Sequence, residues 1–104
     1  MTTHDLKINQ KYYEDVLAGR KSFEVRRNDR NFREKDIVLM QEYDCGVCKY
    51  TGRAVICSIT YILSDVAGLS KDYVVFSFQP LFFLDNTQKV ADDELARILE
   101  EVFG

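Results

Sequence analysis

A single small domain of mixed α and β structure, with one helix near the start and five to six strands closing toward a barrel, is the fold the sequence predicts. Three observations carry that expectation. The chain has 104 residues, 46 % of them hydrophobic and 30 % charged, with only five Gly and one Pro, which is room for one core and no second one. Period-two segments rich in Val, Ile, Phe and Tyr outnumber segments of helical period. So many strands in so short a chain leave many edges, and curling the sheet toward closure is the economical way to remove them.

The elements follow in order. His4-Asp5-Leu6-Lys7-Ile8 alternates polar and apolar and predicts a strand over 4–8. Asn9 offers an N-cap side chain, Tyr12, Tyr13, Val16 and Leu17 recur at helical spacing, and Gly19 suits the residue just past a helix end. Lys21 to Arg27 returns to period two, with Phe23 and Val25 on one face and Ser22, Glu24 and Arg26 on the other. Asn28-Asp29-Arg30-Asn31 and Glu34-Lys35-Asp36 read as turns. Ile37-Val38-Leu39-Met40 suits a buried strand, which Gln41 to Asp44 extends toward solvent. Cys45 to Gly52 reads as a long hairpin loop, 53–63 as its return strand, and 73–79 as a further strand. Pro80 limits pairing beyond that point, so Leu81 to Leu84 reads as a short edge strand or a docking segment. Asp92-Asp93-Glu94 heads an acidic C-terminal helix with Leu95, Ile98, Leu99, Val102 and Phe103 on one stripe. The whole chain, 1–104, reads as one domain, with a core over about 4–79 and an extension over 81–104.

Charge and cysteine usage narrow the function classes. No apolar run approaches the ~18 residues of a membrane span, and the first residues lack a leader pattern, so a cytoplasmic protein without a membrane partner is expected. Three Cys cannot form a complete set of disulfides within one chain, and free thiols are the default. Cys45-Gly46-Val47-Cys48 has C-x-x-C spacing, but Cys57 and His4, the other candidate ligands for zinc, are distant in sequence. No metal or cofactor is assigned, and a monomer is expected. The net charge is −3, yet residues 20–35 hold seven basic side chains against three acidic ones. A basic stripe on an acidic body suits a local anion such as a phosphate or a nucleic-acid backbone. It equally suits a strand edge kept in solution by Lys and Arg.

Gly19-Arg20-Lys21-Ser22-Phe23-Glu24-Val25-Arg26 fits G-x-K-x-x-E-x-R, placed where a helix gives way to a strand. In this motif and in the pattern around it, including His4, Leu6, Lys7, Asn28, Asp29, Arg30, Asp36 and Tyr50 to Arg53, the chain resembles the ASCH family of the PUA-like superfamily, in a small bacterial and phage-type branch. The resemblance covers about residues 4–79. It implies a PUA-like pseudo-barrel with a cleft beside the motif that binds RNA or a modified nucleoside or nucleotide.

The residues themselves allow two arrangements at the motif. Glu24 and Arg26 share a strand face, and Lys21 joins them only if the chain is still turning out of Gly19. Converged, they offer a carboxylate for a base edge and a guanidinium for a phosphate; the alternative is an ion pair bracing the helix–strand junction. The candidate ligand-binding set is His4, Lys21, Glu24, Arg26, Arg27, Asn28, Arg30 and Tyr43, with Tyr12, Tyr50 and Tyr73 as further stacking candidates. Two other function classes stand beside binding. Some small ASCH proteins are amidohydrolases acting on acylated cytidine, which would use Lys21 and Glu24, although Glu24 stands where the Thr nucleophile of those enzymes is expected. A protein–protein module would use Leu81 to Leu84 and the acidic helix.

Overall fold

The computed structural model describes residues 2–85 together with Arg97 and Glu100, both of which are helical. The rest of the expected C-terminal helix lies outside the described residues. The element order is β1 (Thr3–Asn9), α1 (Gln10–Leu17), β2 (Phe23–Arg27), β3 (Ile37–Asp44), β4 (Lys49–Leu63) and β5 (Tyr73–Leu84). The strands form one five-stranded sheet in the order β1-β3-β4-β5-β2. Every neighbouring pair is antiparallel except β1 with β3, which run parallel. The sheet curls into a half-barrel with β1 and β2 as its two edges. Among the described residues no helix is long and apolar enough to cross a membrane.

The caps of α1 form as the sequence predicts. The Asn9 side chain accepts from the Lys11 N–H, and Gly19 takes φ +77° just beyond the C-cap Ala18, a conformation that suits a residue without Cβ. Only Tyr13 and Val16 of the helix stripe are buried, whereas Tyr12 and Leu17 are exposed. The Tyr13 hydroxyl donates to the Ala54 carbonyl of β4. Burial pushes its phenol up to about 12.

Irregular pairings bend the sheet. Between β3 and β4 the register shifts across Gln41 and Tyr43, which pair with Ala54 and Tyr50, so β4 carries extra chain there with Gly52 at φ +96°. A bulge of this kind raises local twist and re-aims side chains. Here it turns both Thr51 and Arg53 onto Glu42: the Thr51 hydroxyl donates to Oε1, and the guanidinium donates from Nε and Nη2 to both carboxylate oxygens. Arg53 also pairs with Glu14 and lies over the Tyr13 ring, 4.8 Å from its centroid, which ties α1 to the sheet. These two glutamates hold the Arg53 pKa well above its usual value. Gln41 and Glu42 are therefore buried and do not extend toward solvent as expected.

Two further expectations are corrected. Cys45 to Gly52 is no long loop: β4 begins at Lys49, and only 45–48 turn, with Cys48 at φ +56°. Nor does Pro80 end the fifth strand. Ile56 pairs with Phe82 and Cys57 with Pro80, so Leu81 is the extra residue of a bulge, where a missing proline N–H is tolerated. Leu81 to Leu84 is thus the end of β5 and no separate segment.

The main core lies inside the curl, where Leu6, Ile8, Tyr13, Val16, Val38, Met40, Val55, Cys57, Val74 and Phe76 meet. Ile37, Leu39, Ala54 and Ile56 form a smaller cluster, so β3 is buried on both faces through its first half.

Candidate functional site

Edge strand β2 inverts the usual burial rule. It pairs with β5 so that Glu24 stands opposite Phe76 and Arg26 opposite Val74. Cross-strand partners share a face, so the polar side of β2 turns into the curl and Phe23 and Val25 point outward, 49 % and 50 % exposed. A carboxylate in that position needs charged company. Glu24, 5 % exposed, has it on both oxygens: Lys21 Nζ lies 2.9 Å from Oε1 and Arg26 Nε 2.8 Å from Oε2. Lys21 reaches Glu24 because it precedes the regular strand. The chain leaves α1 with Arg20 and Lys21 both donating backbone N–H to the Asp15 carbonyl, and Lys21 Nζ also bonds the Phe23 carbonyl. The convergence that the motif spacing left open is therefore made.

Among the described residues the half-barrel is not closed by main chain. No pairing joins β1 to β2; instead the Arg26 guanidinium crosses the gap and donates from Nη2 to the Lys7 carbonyl of β1. Beside this bridge the seam opens into a cleft of about 820 Å³, lined by Ile8 and Asn9 of β1, Tyr12 and Asp15 of α1, Arg20 and Lys21 of the connection, and Phe23 to Arg26 of β2. Tyr12 and Phe23, both about half exposed, lie near the Lys21 ammonium, whose Nζ is 5.3 and 4.6 Å from their ring centroids. The cleft thus sets two aromatic rings beside the Lys21–Glu24–Arg26 cluster, with the Arg20–Asp15 pair also in its lining.

The other expected site residues fall elsewhere. His4 is buried, its Nε2 2.8 Å from Asp36 and its ring 4.7 Å from Phe32. Burial alone would raise the Asp36 carboxyl, but bonds from His4 and from the N–H groups of Thr2 and Arg33 hold it below its ordinary value. That pair fixes the turn before β3 and does not reach the cleft. Asn28 shapes its own turn by accepting from the Phe32 N–H. Arg27 lies over the Tyr73 ring at 5.8 Å, and Arg30 is exposed beside Asp29. Tyr43 packs edge-on against Tyr50 under the Lys7 ammonium, with its phenol raised by burial and by the nearby Cys48. Cys45 and Cys48 are exposed, and among the described residues no three metal-capable side chains converge. Phe23, Ile8 and Asp15 escaped the sequence reading; the exposed Phe23 follows from the inward Glu24 once the faces of β2 are assigned.

Fold and cleft together define a small α+β half-barrel domain with a charged, aromatic-walled cleft in its seam. The chain belongs to a family described as a domain of unknown function (DUF3850), whose model matches residues 3–78 and so spans every cleft residue. It is also similar to an uncharacterized 12.9 kDa protein in the GpA 3′ region of Escherichia phage P2, with 38 % identity over 72 residues. That match covers 69 % of this chain and 63 % of the phage protein, so the chain spans under two thirds of that relative's length.

Proposed function

We propose that this domain is PUA-like, of the ASCH type, and binds a nucleoside unit, free or within RNA, in the seam cleft. The observation that carries the reading is the placement of Glu24, a carboxylate turned into the curl yet lining a cleft between Tyr12 and Phe23. A cavity of this size lies within the range of small-molecule sites, which combine apolar walls with a few fixed polar groups. Aromatic side chains stack any base, and a carboxylate accepts from the N–H groups of a base edge. Lys21 and Arg26 occupy one direction on each Glu24 oxygen, and a carboxylate offers about four lone-pair sites, so acceptor capacity remains.

The alternative reading makes Glu24, with Lys21 beside it, a general base for hydrolysis of acylated cytidine. Glu24→Gln separates the two readings. A binding domain keeps its fold and changes its nucleoside affinity by about 1–3 kcal/mol, with no deacylation by either form. Turnover of N-acetylcytidine by the wild type that Glu24→Gln abolishes would replace binding with catalysis. Absence of both turnover and binding, with an unchanged melting temperature, would reduce the triad to a structural brace.

A further inference from the structure

The seam continues on the other side of the Arg26 bridge. There a second cavity, of about 490 Å³, is lined by Asp5, Leu6, Lys7, Arg26, Arg30 and Tyr50. Arg26 is the one residue that lines both cavities. Their electrostatics differ. In the first cleft each cation has a carboxylate within ion-pair distance, Arg20 at Asp15 and both Lys21 and Arg26 at Glu24, and the remaining walls are aromatic or aliphatic apart from the Asn9 amide. In the second, three cations face a single carboxylate, Asp5, which already accepts from the Gln41 amide.

Among the described residues Lys7 has no carboxylate within ion-pair distance; its ammonium rests over the Tyr43 and Tyr50 rings, 4.5 and 5.9 Å from their centroids. Among the described residues Arg30 is paired only with Asp29, at 4.0 Å, with both side chains about half exposed, a contact of little energy. The Arg26 guanidinium has five N–H donors, of which Glu24 and the Lys7 carbonyl take two. Cations that outnumber the carboxylates round one cavity repel one another, and an anion placed among them relieves that repulsion and gains charge-assisted bonds.

We propose that the second cavity is a phosphate subsite for the same ligand: the nucleoside unit occupies the aromatic cleft, and its phosphate passes Arg26 to reach Lys7 and Arg30. This rests on the nucleoside reading above and adds to it that the complete ligand is an anionic nucleotide, so a free nucleoside fills only half of the site. The phosphate is either terminal or a phosphodiester of a chain. Both offer the same non-bridging oxygens to the Lys and Arg donors.

The test titrates the full chain, by calorimetry or amide chemical shifts, with the four ribonucleosides, their 3′- and 5′-monophosphates and the matching dinucleoside monophosphates. The phosphate is expected to tighten binding by roughly 10-fold or more, the scale of one or two bonds to charged groups. Lys7→Met with Arg30→Met should remove that gain relative to the parent nucleoside. The Lys7 carbonyl that anchors Arg26 survives this change, because it belongs to the main chain. A gain with the monophosphates identifies a terminal phosphate, and a gain confined to the dinucleosides identifies a phosphodiester; both uphold the subsite. Equal affinity for nucleoside and nucleotide, or a gain the double variant leaves intact, overturns the subsite alone. If no nucleoside or nucleotide binds, the proposed function falls and the subsite with it.

Discussion

Glu24 and Glu42 are both strand carboxylates turned into the protein, and both are braced by an arginine of the same sheet, yet they serve different ends. Glu42 is fully buried. Its oxygens are taken by Thr51 and by two donors of Arg53, and Arg53 in turn holds Glu14 of α1. Glu24 has only one bond per partner, from Lys21 and Arg26, and a cleft in front of it. The first arrangement satisfies a charge and seals it; the second leaves acceptor capacity facing an opening. A buried ion pair is thus uninformative about function until the space beside it is known.

The largest test of this contrast removes each arginine. Arg53→Met strands Glu42 in the core and should cost about 3–5 kcal/mol, measured by urea unfolding, whereas Arg26→Met should cost less, about 1–2 kcal/mol, because Lys21 still pairs with Glu24. Equal losses would show that both carboxylates are structural. Asp36 supplies a third case, a buried carboxylate held by a histidine and two backbone N–H groups. Because the folded protein depresses its pKa, its stabilisation is complete above the unfolded value of ~4 and is lost as pH falls through the folded value. Asp36→Asn should therefore cost about 1–3 kcal/mol at neutral pH and flatten the acid limb of a melting-temperature profile. A wild-type profile with no acid limb would deny the pair that role.

The contrast sharpens on the exposed side of β2. Phe23→Ala should change stability by no more than ~0.5 kcal/mol, as for other surface positions, while weakening nucleoside binding by about 1–3 kcal/mol if its ring stacks on the base. A stability loss with unchanged affinity would return Phe23 to a packing role. The smallest effect concerns Cys57, whose thiol burial pushes up to about 12 with a further contribution from the Glu24 charge. Ellman's reagent should find Cys45 and Cys48 in the native protein and Cys57 only on unfolding. Glu24→Gln should slightly hasten Cys57 alkylation at alkaline pH, since it removes the neighbouring negative charge.

Local signals were the legible part of this fold. Asn9 and Gly19 mark the ends of α1 through their own backbone and side-chain chemistry, and the motif residues Lys21, Glu24 and Arg26 do converge on one cleft. What was hidden depends on partners far along the chain. Glu42 read as solvent-bound because the bulge at Gly52 that delivers Thr51 and Arg53 to it has no signature within β3. Pro80 read as a stop because only the register against Cys57 shows that it sits at a bulge. The family pattern points to His4 and residue type to Tyr43 as ligand-binding candidates, but the sheet places both away from the cleft, His4 against Asp36 and Tyr43 against Tyr50.

The Arg26 bridge also decides how the molecule can breathe. A barrel closed by a ladder has a fixed circumference, since widening it breaks a row of cooperative peptide bonds. Here, among the described residues, the gap between β1 and β2 is spanned by one long side chain anchored to one carbonyl, and side-chain rotations run on far shorter timescales than strand separation. Breaking that bond would leave every ladder of the sheet intact, and the residue that makes it also lines both cavities.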